Sequence, residues 1–297
     1  MTNYRYPPEL WTAPLTGNEL IPIDGGSVYP TQITVAALTS TQRAMAGTVL
    51  PRYANTGILI PYYFYTNNPY SDPVFQSLIG LIRQYHQVPV IVILNQPGSD
   101  GLGGPGPFDG NIAAAIRLLK AAGATVLGYV YTSYAARPAS AVQADIALWN
   151  TLYTPAVDGI FFDEMPYATG TNNANVALYQ GFYTYAQALG FGPIICNPGS
   201  DQQPAWYATK VADIIVINEN STWPSTATVA GNFVGGHGDY DYRMNAILVY
   251  GQPSFLLATF QTMQPYVQWV YVTDDIMPNP WGALSSYLAS LFAACAA

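Results

Sequence analysis

From residue 57 onward, the hydrophobic and polar positions follow two alternating patterns. Short runs of β-branched and aromatic residues are each followed by a polar or Gly/Pro-rich loop and then by an Ala- and Leu-rich stretch with helical spacing. The runs predict eight buried strands, at 57–65, 88–95, 124–132, 157–164, 192–198, 212–219, 245–251 and 269–275. The other stretches predict helices at 73–86, 109–122, 138–152, 173–189, 202–210, 253–264 and 282–295. Eight continuous apolar strands that alternate with helices predict an α/β fold, a closed (β/α)8 TIM barrel.

One segment departs from this pattern. Residues 221–243, after the sixth strand, predict a long loop with one short helix. A doubly wound open sheet is the rival architecture, but it usually carries a glycine fingerprint after its first strand. Here PYYFYTNNPY follows that strand, and the later GLGGPGPFDG has prolines interleaved, so a dinucleotide loop is not favoured.

The first 50 residues lie outside the repeating pattern. The segments ELIPID and SVYPTQIT flank Gly25 and Gly26, which predicts a short β-hairpin, and a helical pattern follows near residue 33. We therefore divide the chain into an N-terminal extension or attachment module (1–50) and a barrel catalytic domain (51–297). Residues 15–40 loosely resemble small modules that connect domains in bacteriophage tail fibres, which implies homo-oligomerisation through this segment. The alternative is a strap packed on the barrel.

Charged residues are scarce and mostly acidic. Nine Lys+Arg stand against 17 Asp+Glu, so the chain has no basic patch for nucleic acid or an anionic membrane surface. The 24 tyrosines and six tryptophans instead suit neutral polar ligands such as sugars. No apolar stretch is long enough to span a membrane and no signal peptide is visible, which predicts an extracellular or virion-associated protein released by lysis, with an intracellular location left open. Cys196 and Cys295 are predicted to be buried free thiols.

Polar side chains follow nearly every predicted strand. In a TIM barrel the carboxyl ends of the strands build the active site, so these residues are candidates for catalysis and binding. The acids are Asp163, Glu164 and Glu219, and the last two are half of the four glutamates in the chain. We expect ten further residues to contact substrate: Tyr62, Tyr65, Asn95, Tyr131, Ser133, Asn197, Asn218, His237, Tyr250 and Asp274.

The spacing of the acids predicts a two-carboxylate site. Asp163 shares a strand face with Phe161, and Glu219 shares one with Asp213, Ile215 and Ile217, because alternate strand residues face the same side. If both faces point inward, the two carboxylates converge about 5 to 10 Å apart, as glycoside hydrolysis requires. Alternatively, such acids cap helices or pair with arginine. Asp158 and Asp213 are assigned to the opposite end of the barrel.

Other chemistries fit the sequence less well. The only histidines, His86 and His237, lack metal-ligand spacing, and no GxSxG motif supports a serine triad, so we expect neither a metal ion nor a cofactor. His237 in GGHGD either contacts substrate or is a solvated loop histidine. Trp206 and Trp223 either form outer sugar subsites or pack in the fold.

Several motifs together resemble the spherulin-4 family of glycoside hydrolases. They are ILIPYYFY, VIVILNQPGSDGLGG, VLGYVYTSYAARP, VDGIFFDE, IICNPGS, ADIIVINE and YVTDD…NPW, between residues 57 and 281. The resemblance implies a barrel enzyme that cleaves within polysaccharides containing α-linked galactosamine. It implies Asp163 as nucleophile, Glu219 as general acid/base and Glu164 as an auxiliary acid. Tyr250 stands where relatives often carry histidine, which leaves substrate preference open.

Two functions from different classes follow. The first is an endo-acting, retaining glycosidase, in the form of a phage-associated depolymerase if residues 1–50 attach it to a virion. In that enzyme we expect Glu219 to have the raised pKa, because one carboxyl must carry a proton near neutral pH. The second is a glycan-binding barrel without activity, such as a receptor-binding part of a phage fibre.

Overall fold

The computed structural model describes residues 20–23, 31–34, 55–95, 103–153, 157–231 and 236–297. In the N-terminal part, β1 (Leu20–Ile23) pairs antiparallel with β2 (Thr31–Thr34), and Leu20 lies opposite Thr34. This is the predicted hairpin. The helix expected after it lies outside the described residues.

The eight predicted strands of the repeating region close into one barrel. They are β3 Gly57–Tyr62, β4 Val90–Leu94, β5 Thr125–Tyr131, β6 Gly159–Asp163, β7 Ile194–Asn197, β8 Ile214–Asn220, β9 Asn245–Val249 and β10 Trp269–Val272. Each pairs in parallel with the next, and β10 pairs with β3 to close the ring. The prediction of a (β/α)8 TIM barrel is confirmed.

Helices follow the strands at the predicted places and are shorter than predicted, although the last one ends one residue later, at Ala296. They are α1 Pro73–Gln84, α2 Gly110–Ala122, α3 Ala139–Leu152, α4 Ala174–Ala188, α5 Pro204–Ala208, α6 Thr226–Val229, α7 Leu257–Met263 and α8 Leu288–Ala296. Asp72 and Asp109 cap α1 and α2, since their carboxylates accept from Phe75 N at 2.8 Å and from Asn111 N at 2.6 Å. The segment 221–243 contains only α6 and two 3₁₀ turns among its described residues, as expected for a long loop.

The core has an inner layer inside the barrel and an outer layer between the strands and the helices. Trp149 of α3 is fully buried in the outer layer, and its indole Nε1 donates to Tyr129 O at 2.9 Å. The indole can approach β5 this closely because residue 128 is glycine, where a Cβ atom would meet the Trp149 ring at 2.5 Å. Cys196 and Cys295 are free and buried, as predicted.

The amino end of the barrel holds acids that serve the fold. Asp158 accepts from Lys120 Nζ at 2.7 Å and from Val126 N at 2.9 Å. Asp213 accepts from Ile194 N at 2.8 Å and from the Tyr183 hydroxyl at 3.0 Å. Both acids therefore join neighbouring elements at the end assigned to stability. Among the described residues, no helix combines the length and hydropathy of a membrane span.

Candidate active site

Asp163 and Glu219 meet at the carboxyl end of the barrel through a single amide. Asn197 Nδ2 donates to Asp163 Oδ1 at 2.8 Å and to Glu219 Oε2 at 2.6 Å. The side-chain oxygen Oδ1 of Asn197 accepts from Gly199 N at 3.0 Å, which fixes the orientation of the side-chain amide. Both carboxylates bind the same nitrogen. The distance between Asp163 Oδ1 and Glu219 Oε2 therefore cannot exceed the sum of these two hydrogen-bond lengths.

A β-bulge in β8 turns Glu219 toward the interior. Val216 pairs with Ala246 while Asn218 pairs with Ile247, so Ile217 has no partner of its own in β9. The extra residue reverses the alternation of side chains. The expectation that Glu219 shares a strand face with Asp213 is therefore wrong, although the expected convergence with Asp163 occurs.

Asp213 precedes the bulge, and its side chain shows which side of the sheet this set of alternate residues faces. Its carboxylate accepts from Tyr183 of α4, in the helical layer. Glu219 lies on the other side of the sheet and reaches Asn197 and Trp281. Without the bulge at Ile217, the strict alternation would direct Glu219 toward the helices as well.

Asp163 is surrounded by hydrogen-bond donors. Its Oδ1 accepts from Asn197 and from Glu164 N at 3.0 Å, and its Oδ2 accepts from the Tyr129 hydroxyl at 2.7 Å. Burial raises the pKa of Asp163 above its usual range, while the three donors oppose that rise. Since all three contacts donate to the carboxylate, they stabilise its ionised form.

Glu219 has the environment of a proton donor. Burial raises its pKa to about 7, and the negative charge of Asp163 adds to the rise. The hydrogen bonds from Asn197 and from Trp281 Nε1, the latter at 3.0 Å, act in the opposite direction. Asp163 accepts three hydrogen bonds and Glu219 accepts two, so Asp163 has more donors that favour its ionised form.

Glu164 lies beside the pair without bridging it. Its backbone is left-handed, with φ of 55°, and its carbonyl accepts from Thr132 Oγ1 at 2.9 Å and from Tyr134 N at 2.7 Å. Partial burial and the charge of Asp163 raise the pKa of Glu164, and a hydrogen bond with Tyr131 opposes the rise. Glu164 is thus a third carboxylate at the barrel mouth.

Aromatic side chains surround the two acids, and the predicted site omits three of them: Tyr63, Tyr129 and Trp281. Tyr63 packs edge-on against Tyr129, with ring centroids 5.3 Å apart, and Trp281 packs edge-on against Tyr250 at 6.0 Å. Burial and the nearby carboxylates raise the pKa of both Tyr63 and Tyr129, so both phenols stay neutral. Tyr129 could have been found from the alternation, since it shares a strand face with Tyr131. Trp281 could not, because it lies in the loop well beyond β10.

Several expected binding residues lie elsewhere than at the acid pair. Tyr62 is buried toward α1, edge-on to Phe75, and its hydroxyl shares a 2.5 Å hydrogen bond with Thr66. Tyr63, the next residue, occupies the interior position that the sequence predicts for Tyr62. Tyr65 is half exposed at the start of α2, where its hydroxyl donates to Asp109 Oδ2 at 2.8 Å.

The remaining expected residues divide between the site and its rim. Asn95 accepts from Gly104 N at 3.1 Å and so holds the loop after β4. Asp274 accepts from Ser286 N at 3.0 Å, toward the loop that precedes α8. Asn218 pairs one position before Glu219 and therefore faces the other side of β8. Tyr131 ends β5, Ser133 follows that strand by two residues, and Tyr250 comes directly after β9. Contact of these three residues with substrate stays a prediction.

His237 is neither exposed to substrate nor solvated, so both interpretations of it are wrong. Its side chain is fully buried, and its Nδ1 lies 2.5 Å from Asp201 Oδ1. Asp201 follows β7, so this contact joins the long loop to a neighbouring loop. Trp206 is also a packing residue, since it is buried and donates to Tyr167 O at 3.2 Å. Across the described residues, no three His, Cys, Asp or Glu side chains come together to hold a metal ion.

Comparisons with known proteins agree with this architecture. Spherulin-4 of Physarum polycephalum is 26% identical over 244 residues, which cover 78% of this chain and 68% of that protein. The crystal structure of Aspergillus clavatus Sph3 in complex with GalNAc superposes with a TM-score of 0.68 at 23% identity, covering 82% of this chain and 98% of that one. The sequence profile of spherulation-specific family 4 matches residues 57–295, the whole barrel from β3 into α8. The chain therefore belongs to the spherulin-4 family.

Proposed function

We propose that this protein is an endo-acting glycoside hydrolase that cleaves a galactosamine-containing exopolysaccharide with retention of configuration. The observation that carries the proposal is the bridge from Asn197 Nδ2 to both Asp163 and Glu219. It holds two carboxylates of different proton affinity at one barrel mouth. Retaining glycosidases need their carboxyl groups about 5 to 5.5 Å apart, whereas inverting enzymes need about 6.5 to 9.5 Å to admit a water molecule. The shared nitrogen favours the shorter separation.

In the first step, an oxygen of ionised Asp163 attacks the anomeric carbon. Oδ2 accepts one hydrogen bond, from Tyr129, while Oδ1 accepts two, so Oδ2 has the available lone pair. As the bond to the leaving sugar breaks, Glu219 gives its proton to the glycosidic oxygen. The products are a shortened polymer with a new hydroxyl group and a glycosyl ester on Asp163.

In the second step, Glu219 is ionised and acts as a base. It removes a proton from a water molecule, whose oxygen attacks the anomeric carbon and displaces Asp163. The new reducing end keeps its original configuration, and Glu219 again carries its proton. A pKa near 7 suits a group that must give and take a proton in one cycle.

Support for the sugar comes from the family and from one solved relative. Sph3 was crystallised with GalNAc, and its chain is matched over 98% of its length. The acids lie among tyrosines and Trp281, which offer apolar planes with polar tips to a sugar ring. By this proposal Glu164, the third acid, binds the sugar beside the reacting centre.

The decisive experiment measures reducing ends released from acetylated and de-N-acetylated galactosamine polymers. Wild type is compared with Asp163→Asn and Glu219→Gln, and Asp213→Asn serves as the control acid because Asp213 lies at the amino end of the barrel, where it accepts from Ile194 N and Tyr183. We expect the first two substitutions to lower the rate by about 10³-fold or more and the control to have little effect. NMR of the first-formed anomer then distinguishes retention from inversion.

Two results would overturn the proposal. If wild type releases no reducing ends but binds a glycan, the barrel is a recognition module and the acids are binding groups. If a polymer is cut and both variants remain active, other residues carry the chemistry.

We further propose that residues 1–50 attach this domain to a virion or a larger assembly outside the cell. A homo-oligomer is the state expected for such a module. Light scattering that shows a strict monomer would contradict oligomerisation through this segment.

A further inference from the structure

Two strained turns meet at one corner of the barrel mouth. After β5, Ser133, Tyr134 and Ala135 have φ of 50, 53 and 68°, and Glu164 after neighbouring β6 has φ of 55°. Left-handed backbone costs a non-glycine residue roughly 1–2 kcal/mol. Strain of this kind persists where the surroundings hold it and concentrates at functional sites.

Hydrogen bonds fix the first turn to the second. Tyr134 N donates to Glu164 O at 2.7 Å, and Thr132 Oγ1 donates to the same carbonyl at 2.9 Å. Arg137 closes the turn through its N, which donates to Thr132 O at 3.4 Å, and its guanidinium pairs with Asp145 at 2.8 Å. The position of Tyr134 is therefore set relative to the carboxylates of the site.

The side chain at the apex of the turn is a large and exposed aromatic ring. Tyr134 is 62% exposed, so it contributes little to the core. Its pKa is raised by partial burial and by the charges of Glu164, Asp163 and Glu219. A strained backbone, bonded to the carbonyl of Glu164, thus holds an exposed aromatic ring on the side of the barrel mouth where the acids lie.

We propose that Tyr134 is a substrate-binding platform, on which the hexosamine unit next to the scissile bond stacks its C–H-bearing face. The proposal rests on the function proposed above and specifies how that same site holds its sugar. It adds a residue that the strand-end pattern did not include, because Tyr134 lies beyond β5 in a turn.

The chemistry of the sugar fits such a platform. A galacto-configured pyranose has an axial hydroxyl at C4, so its opposite face presents adjacent C–H groups to an aromatic ring. A tyrosine ring offers an apolar plane and keeps a polar tip for solvent or for a sugar hydroxyl. Since the backbone of the turn is already fixed by its hydrogen bonds, only the side-chain torsions of Tyr134 lose freedom when sugar binds.

The test measures kinetics and binding of Tyr134→Ala and Tyr134→Phe with oligomers of α-linked galactosamine, acetylated and de-N-acetylated. We expect Tyr134→Ala to raise KM by about tenfold, the size of one aromatic contact. When the same substitution is made in the Glu219→Gln protein, we expect it to weaken oligomer binding by about tenfold. Its kcat should stay within about threefold of wild type, because a platform that binds ground state and transition state alike affects KM. Tyr134→Phe should keep nearly full affinity.

Tyr242→Ala is the matched control, since Tyr242 is 41% exposed and precedes β9 at the amino end of the barrel. Circular dichroism and thermal melts establish that each variant is folded. The platform is refuted if a polymer is cut and Tyr134→Ala keeps the wild-type KM, or if Tyr134→Phe is as impaired as Tyr134→Ala. It is also refuted if wild type binds none of the oligomers. Loss of glycan binding in Tyr134→Ala without cleavage by wild type would support the platform and reject only the hydrolase.

Discussion

The indole Nε1 of Trp281 donates to Glu219 Oε1 at 3.0 Å. The loop after β10 therefore contacts the acid near the end of β8. This bond stabilises the ionised form of Glu219. It also partly offsets the burial and the charge of Asp163, which raise the pKa to about 7. The loop therefore lowers the pKa of Glu219 relative to the value that burial and Asp163 alone would give it.

We expect Trp281→Phe to shift the basic limb of the pH profile of kcat/KM to higher pH. Phenylalanine keeps the aromatic bulk but donates no hydrogen bond, so the pKa of Glu219 rises. A hydrogen bond to a charged group contributes about 1.5–3 kcal/mol, and a shift of about one pH unit is the expected size. The measurement is a pH–rate profile between pH 4 and 9.

Trp206→Phe is the control for that profile. Trp206 is buried and donates to the backbone of Tyr167, away from the acids, so its loss should leave the basic limb in place. An unchanged or acid-shifted limb in Trp281→Phe would show that this bond does not set the proton affinity of Glu219.

Asn197→Ala should reduce kcat more strongly than it affects KM. The amide positions both carboxylates, so its removal frees Asp163 and Glu219 to move apart and to admit water between them. Misplacement of catalytic groups by about 1 Å typically lowers rates by about 10²-fold. Steady-state kinetics with a cleaved polymer check the expectation.

Asn175→Ala is the matched asparagine control. Its Nδ2 donates to Ala168 O at 2.9 Å on the exposed surface near α4. We expect near wild-type kinetics for this variant. If Asn197→Ala keeps its full kcat, the bridge is a passive contact and the two-carboxylate geometry does not depend on it.

The sequence predicts the barrel and Asp163 well because both depend on local periodicity. The eight apolar runs mark the strands, and Phe161 with Asp163 gives the correct face of β6. The bulge at Ile217 is invisible to such a pattern, because it is defined by pairing with Ala246 and Ile247 of another strand. The predicted convergence of Glu219 with Asp163 is therefore right, although the strand face predicted for Glu219 is wrong.

Other differences have the same long-range origin. In PYYFY every residue is aromatic or apolar, so nothing local tells whether Tyr62 or Tyr63 faces the interior. His237 is buried and contacts Asp201, which is 36 residues away in the chain. Contacts of this kind depend on the closed barrel, which brings distant loops together at one end.

The close approach of α3 to β5 predicts a sharp contrast between two glycine substitutions. Gly128→Ala should lower the free energy of unfolding by about 1–3 kcal/mol, because the new Cβ atom would meet the Trp149 ring at 2.5 Å. Gly181→Ala should raise it by about 0.5–1 kcal/mol, since Gly181 lies within α4 with no atom within 4 Å of a Cβ. Urea denaturation of both variants tests the pair. Equal stabilities would show that the indole can move away without loss.

Glu219→Gln should gain stability relative to wild type as the pH rises from 5 to 8. The folded pKa of Glu219 is about 7, above its usual value of 4.5, so the folded protein binds more protons than the unfolded chain between these values. The stability contributed by that proton is complete below pH 4.5 and is lost as the pH rises through 7, by about 3 kcal/mol. Glutamine does not titrate, so its variant avoids this loss.

Urea denaturation at both pH values gives the difference, with Asp274→Asn as the control for general effects of charge removal. A Glu219→Gln difference that stays constant between pH 5 and 8 would mean that Glu219 ionises in the folded protein at its ordinary pH, and that the proposed acid needs another source of its proton.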